Sequence, residues 1–81
     1  MTITVLLFAK LRELAGVDRV PVEVPAGATV SGLKQALAHR FPPATSLLER
    51  SAIAVNREFA TDDRPLAETD EVAAIPPVSG G

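Results

Sequence analysis

Cysteine is absent from this sequence, and so are tryptophan and tyrosine. Without cysteine there is no disulfide, no thiolate metal ligand and no cysteine nucleophile. Stability then has to come from packing alone, as in a cytosolic protein. Three phenylalanines are the only aromatic side chains, and eight basic residues face ten acidic ones for a net charge of −2, with no basic cluster. Nucleic acid is therefore not an expected partner, since base stacking needs aromatic platforms and phosphate binding needs a positive surface. Long apolar runs are also missing. The stretch from Val5 to Ala9 is cut off by Lys10, far short of a signal peptide or a spanning helix, and the opening Met1-Thr2-Ile3-Thr4 has no basic region. No membrane association is expected, and the chain reads as soluble and cytoplasmic.

What is present suffices for one domain. A chain of 81 residues, 47% hydrophobic, can build a single core but not two, because a domain near this size buries only about 60% of its unfolded surface. Residues 1–75 read as that folded body and 76–81 as a protruding tail.

Thr2 to Phe8 is rich in β-branched and apolar residues and predicts a strand, with Ile3, Val5 and Leu7 on one face and Thr4, Leu6 and Phe8 on the other. Lys10 to Ala15 predicts a turn or two of helix ended by Gly16. Arg19 to Val24 alternates three valines with Pro21 and Glu23, and Pro21 puts this strand at a sheet edge. After the turn Pro25 to Ala28, Thr29 is placed to cap the main helix, Val30 to about Arg40. Its apolar stripe is Val30, Leu33, Leu37 and Phe41; Ser31, Lys34, Gln35, Ala38 and His39 face outward. Gly32 costs this helix about 1 kcal/mol relative to alanine. Phe41-Pro42-Pro43 ends it. A helical turn at Thr45 to Arg50 follows, then strands Ala52 to Val55 and Glu58 to Ala60 joined by the turn Asn56-Arg57. Leu66 reads as an inward anchor after a polar loop, and Glu71 to Ile75 as the last strand.

The order is α+β, a mixed sheet with one main helix across one face. If the last strand lies beside the first, Leu6, Phe8 and Ile75, joined by Phe59, share the face away from the helix. They then either complete the core or form an apolar docking patch, and alternation alone does not separate the two.

The closing stretch is Ile75-Pro76-Pro77-Val78-Ser79-Gly80-Gly81. Two prolines remove two backbone donors and stop strand pairing, leaving a stiff stem. Four residues beyond it span at most roughly 13 Å, and the glycines make a thread without side chains, able to enter a narrow channel. One reading is a frayed terminus; the other makes the Gly81 carboxylate a functional group.

The rest of the chain offers little chemistry. His39 lies where a helix end favours partial positive charge and reads as solvated. Asp62-Asp63 and Asp70-Glu71 read as turn residues rather than a metal site. The serines sit in no nucleophile-elbow pattern, and no glycine-rich phosphate loop opens a helix.

Phe8-Ala9-Lys10-Leu11-Arg12-Glu13-Leu14-Ala15-Gly16 after the first strand, and Asp70-Glu71-Val72-Ala73 leading into the Pro-Pro-Val-Ser-Gly-Gly end, resemble the small-subunit family of molybdopterin synthase. The resemblance covers essentially the whole chain. It departs at Glu68-Thr69-Asp70, where a glycine before the aspartate is common, and at Ile75, where an aromatic is common.

The resemblance implies a ubiquitin-like β-grasp fold and a sulfur carrier rather than an enzyme with its own active site. An E1-like adenylyltransferase would use ATP to activate the Gly81 carboxylate, and a sulfur donor protein would convert it to a thiocarboxylate. The tail would then enter the large subunit of the synthase, in a heterotetramer, and give its sulfur to a pterin precursor. Gly81 would bear the sulfur, Gly80 would permit threading, and Val78 and Ser79 would line the passage beyond the Pro76-Pro77 stem. No cofactor or metal would be held permanently. The same activated tail is compatible with related carriers for tRNA thiolation or thiamine synthesis, and with a ubiquitin-like protein modifier.

Overall fold

In a computed structural model of the chain, which describes residues 1–78, the strands form one five-stranded sheet in the order β2-β1-β5-β3-β4. Its strands are β1 (Thr2–Leu7), β2 (Arg19–Glu23), β3 (Ala52–Val55), β4 (Glu58–Ala60) and β5 (Val72–Ile75). Antiparallel pairs flank a central parallel pair, β1 with β5, registered Val5 to Val72 and Leu7 to Ala74. Among the described residues three helices accompany the sheet: α1 (Ala9–Ala15), α2 (Val30–Arg40) and α3 (Thr45–Glu49), the last entered through a 3-10 turn at Pro42–Ala44. This is the β-grasp architecture.

The strand alternation decides which residues become core. Ile3, Val5 and Leu7 are buried, as are Val20 and Val22 on β2, Ile53 and Val55 on β3, and Val72 and Ala74 on β5. They form one cluster with Val30, Leu33 and Leu37 of α2, Leu11, Leu48 and Leu66. Proline at position 21 is tolerated because β2 pairs only with β1 and leaves its other edge free.

The main helix begins where expected, and its start is better satisfied than a lone cap allows. Thr29 Oγ1 accepts from the Gly32 N–H at 3.3 Å, while the N–H groups of Val30 and Ser31 donate to the carbonyls of Arg64 and Asp62. Three donors with no partner inside the helix are thus supplied by the cap and by the loop before Leu66. A bridge between Thr29 and Pro65 holds that loop in place. Alpha-1 ends on Gly16 at φ +77°, a left-handed C-cap whose N–H returns to the Arg12 carbonyl.

Some boundaries differ from the sequence reading. Beta-1 stops at Leu7, and α1 starts at Ala9 rather than Lys10. The reason lies in Ala9 itself, whose φ of +50° turns the chain sharply out of the strand. Ala38 of α2, read as facing outward, instead packs partly against the core and lines a groove with Thr45, Leu48 and Glu49. No helix among the described residues is long and apolar enough to cross a membrane.

Candidate functional site

Beta-1 and β5 run parallel, so their carboxyl ends lie at the same end of the sheet. Phe8 leaves β1 there and Ile75 leads β5 into the proline stem. The face turned away from α2 carries Leu6 opposite Ala73, Ala73 opposite Ala54 and Ala54 opposite Phe59, in one row across four strands. With Phe8 and Ile75 this row lines a shallow hollow of about 250 Å³. Phe8 is 46% exposed and Phe59 75% exposed. The patch is therefore surface and not the second half of a core. The opposite end of the same face is polar: Thr4 stands across from Pro21, and the Thr2 hydroxyl donates to Glu23. Apolar character is concentrated at the end where the tail leaves.

Local chemistry fixes both flanks of the patch. The β3–β4 hairpin turns on Asn56 and Arg57, at φ +53° and +70°, the left-handed pair that a two-residue hairpin requires. Asparagine tolerates this region better than arginine does. The Asn56 N–H donates to the Glu71 carbonyl at 2.7 Å and its side-chain oxygen accepts from the Glu71 N–H at 2.9 Å. Its amide donates to Asp70 Oδ1 at 2.9 Å, and Asp70 Oδ2 accepts from the Ala67 N–H at 2.8 Å and from Arg64 at 3.3 Å. Asp70 thus ties the hairpin that carries Phe59 to the start of β5. The Ala67 N–H and then the Asn56 amide hold the Asp70 carboxyl below its ordinary range; burial opposes them, and Arg64 adds a lesser pull in the same downward direction. Thr69 has no positive φ, so this turn does not call for the glycine common elsewhere.

On the other flank, left-handed Ala9 turns the chain from β1 into α1 immediately after the extended Phe8. The Phe8 carbonyl accepts from the N–H groups of Leu11 and Arg12. A left-handed alanine costs roughly 1–2 kcal/mol, and such strain concentrates at binding surfaces. Beside it lies a groove of about 850 Å³ lined by Phe8, Lys10, Leu47, Arg50 and the stem residues Pro76 to Val78.

The structure thus brings Phe8, Phe59 and Ile75 onto one surface with the root of the tail. Pro76 is buried, while Pro77 and Val78 are exposed, Val78 to 94%. Stem and body therefore meet through the first proline ring. Ser79, Gly80 and Gly81 lie outside the described residues. His39, Asp62 and Asp63 are exposed and lie away from the patch. No group of three or more metal-ligating side chains occurs among the described residues. Sequence reasoning missed Lys10, Leu47 and Arg50 at the tail root, since only the packing of α1 on the 3-10 turn that leads into α3 brings them around one groove.

A β-grasp body whose last strand delivers an extended carboxyl-terminal stem beside an exposed apolar patch is the form of a ubiquitin-like carrier. The chain belongs to the ThiS family, whose description matches residues 5–81. The molybdopterin synthase sulfur carrier subunit of Escherichia coli is 41% identical over 83 residues, covering 98% of this chain and 99% of that protein. Small archaeal modifier protein 1 of Haloferax volcanii has the same fold, with a TM-score of 0.85 and 33% identity over 95% of this chain and 98% of its own. A chain from the complex of subunits 1 and 2 of the molybdopterin-converting factor of Helicobacter pylori matches over 100% of both chains with a TM-score of 0.69; at 23% identity that likeness is one of fold.

Proposed function

We propose that this chain is the sulfur carrier subunit of a molybdopterin synthase, bearing sulfur on Gly81 as a thiocarboxylate. The observation that carries the reading is the exposed apolar patch of Phe8, Phe59 and Ile75 at the root of the proline stem. The name of the E. coli relative supports the same reading. The patch docks on the large subunit, and the stem directs residues 78–81 into that subunit's active site.

The chemistry follows from what a carboxylate lacks. It is a poor acyl electrophile, so an E1-like adenylyltransferase joins a Gly81 oxygen to the α-phosphate of ATP and releases pyrophosphate. The outer sulfur of a persulfide on a donor protein then attacks the acyl carbon and expels AMP, and a thiol reductant cleaves the S–S bond that still joins the two proteins, leaving the thiocarboxylate on Gly81. The thiocarboxylate sulfur is a better nucleophile than the oxygen it replaces; it attacks a pterin precursor in the large subunit, and water then cleaves the acyl–sulfur bond, leaving sulfur on the precursor and returning Gly81 to a carboxylate. Acid and base groups belong to the partners, and the carrier is a co-substrate that holds no cofactor of its own.

Deleting Gly81, or adding one residue after it, abolishes sulfur transfer in a reconstituted synthase while the melting temperature stays within about a degree or two of the parent, because the core cluster of the described residues draws on nothing past Ala74. Full activity from either variant contradicts the proposal. A second reading is favoured by the likeness to a small archaeal modifier protein: the same activated Gly81 acylates lysines of other proteins. Lysine-linked adducts of Gly81 recovered from cells support it.

A further inference from the structure

We infer that Lys10 and Arg50 form a cationic collar at the root of the tail, docking against carboxylates that rim the channel mouth of the protein receiving the tail. This rests on the reading above that a partner receives it.

Both residues are exposed, and both line the groove that also holds Pro76, Pro77 and Val78. Lys10 comes from the first turn of α1 and Arg50 from the end of α3. Among the described residues Glu13 is the one carboxylate lining that groove, which leaves their charges there in positive excess on a chain whose net charge is −2. Glu49, next to Arg50 in the chain, lines a different groove with Lys34 and Asp62. Lys34, Arg57 and Arg64 each have a carboxylate partner within 4.0 Å. Among the described residues no such pair forms at Lys10 or Arg50.

The collar is continuous with the apolar patch, since Phe8 and Ile75 line both. A partner that covers the patch and takes in the stem therefore passes over the two cations. Positive charge brought opposite them would repel the approach and negative charge would steer it, so the fitting rim is acidic. The stem itself carries no charged side chain. The collar is thus the electrostatic handle that guides it, and such handles act mainly on association rate.

The test compares the full-length chain with its Lys10→Glu/Arg50→Glu variant, measuring association with the molybdopterin synthase large subunit of the same organism at low and high ionic strength. The association rate constant falls about tenfold or more at low salt, the gap closes as salt rises, and dissociation changes little. Phe59→Ala behaves oppositely, speeding dissociation at every salt concentration. Should the double reversal lower the melting temperature, Lys10→Gln/Arg50→Gln serves in its place, with about half the effect on a logarithmic scale. Equal association rates for parent and variant, or a loss that salt does not relieve, overturn the collar alone. A parent chain that does not bind the subunit at all overturns the carrier reading as well.

Discussion

The two faces of the sheet are made from alternate residues of the same strands, yet they serve different ends. Under α2, Ile3, Val5, Ile53 and Val72 are buried at 2% exposure or less. On the other face, Leu6, Ala73 and Ile75 remain partly open, and Phe59 is three-quarters exposed. Burial on the first face holds the fold. Apolar area left open on the second is stabilisation withheld from folding and kept for association. An 81-residue domain can leave it open because one continuous core, closed by α2 and Leu66, already carries the fold.

The sharpest way to break this comparison is to exchange the two kinds of damage. Leu33→Ala, on the covered face, lowers unfolding free energy by about 2–5 kcal/mol in denaturant titrations. It leaves the affinity of the remaining folded protein for the large subunit near that of the parent. Phe8→Ala combined with Phe59→Ala does the reverse: affinity falls by at least about 2 kcal/mol, roughly thirtyfold in Kd by calorimetry, while stability moves by less than about 1 kcal/mol. A double variant that unfolds instead would mean that the patch belongs to the core.

Asp70→Asn tests the clamp that ties the hairpin carrying Phe59 to the start of β5. Its loss costs about 1–2 kcal/mol at neutral pH, as expected for hydrogen bonds to a charged acceptor. Because the folded carboxyl titrates below its ordinary range, its stabilisation is complete above the unfolded value near 3.9 and is lost as pH falls through the lowered folded value. The gap between parent and variant therefore narrows below about pH 4. A gap that is constant down to pH 2 would show that the charge is irrelevant.

The smallest effects concern backbone fit. Gly32→Ala meets only ordinary contacts, with Ala28 Cβ and Thr29 Oγ1 at 3.9 Å, and gains up to about 1 kcal/mol. Ala9→Gly relieves a left-handed alanine and gains a similar amount. At the tail root, however, the added freedom of Phe8 also slows partner association. Thermal melts and association kinetics on the two variants separate a purely structural site from one that also positions a docking side chain.

Much of the fold was legible in residue types whose physics is local. Thr29 announced a helix start, Gly16 a left-handed stop, Pro21 an edge, and Phe41-Pro42-Pro43 an end, and each stands where those constraints put it. The alternation of β1 separated Ile3, Val5 and Leu7 from Leu6 and Phe8 correctly. It did not say whether Leu6 and Phe8 complete the core or stay open as a patch, because that depends on what β5, β3 and β4 bring to the same face, pairings between residues far apart in sequence. The clamp at Asp70 and the groove of Lys10, Leu47 and Arg50 were illegible for the same reason. The burial of Pro76 was hidden too, since proline chemistry predicts where pairing stops but not whether the ring rests on the body.

The account turns on Gly81 as the bearer of sulfur, and the most direct measurement is the intact mass of the full chain after incubation with ATP, an E1-like adenylyltransferase and a sulfur source, followed by carboxyl-terminal fragmentation. The predicted product is heavier by the replacement of one oxygen with sulfur, and the change maps to Gly81. An unmodified terminus, with the same adenylyltransferase active on another carrier, would contradict it.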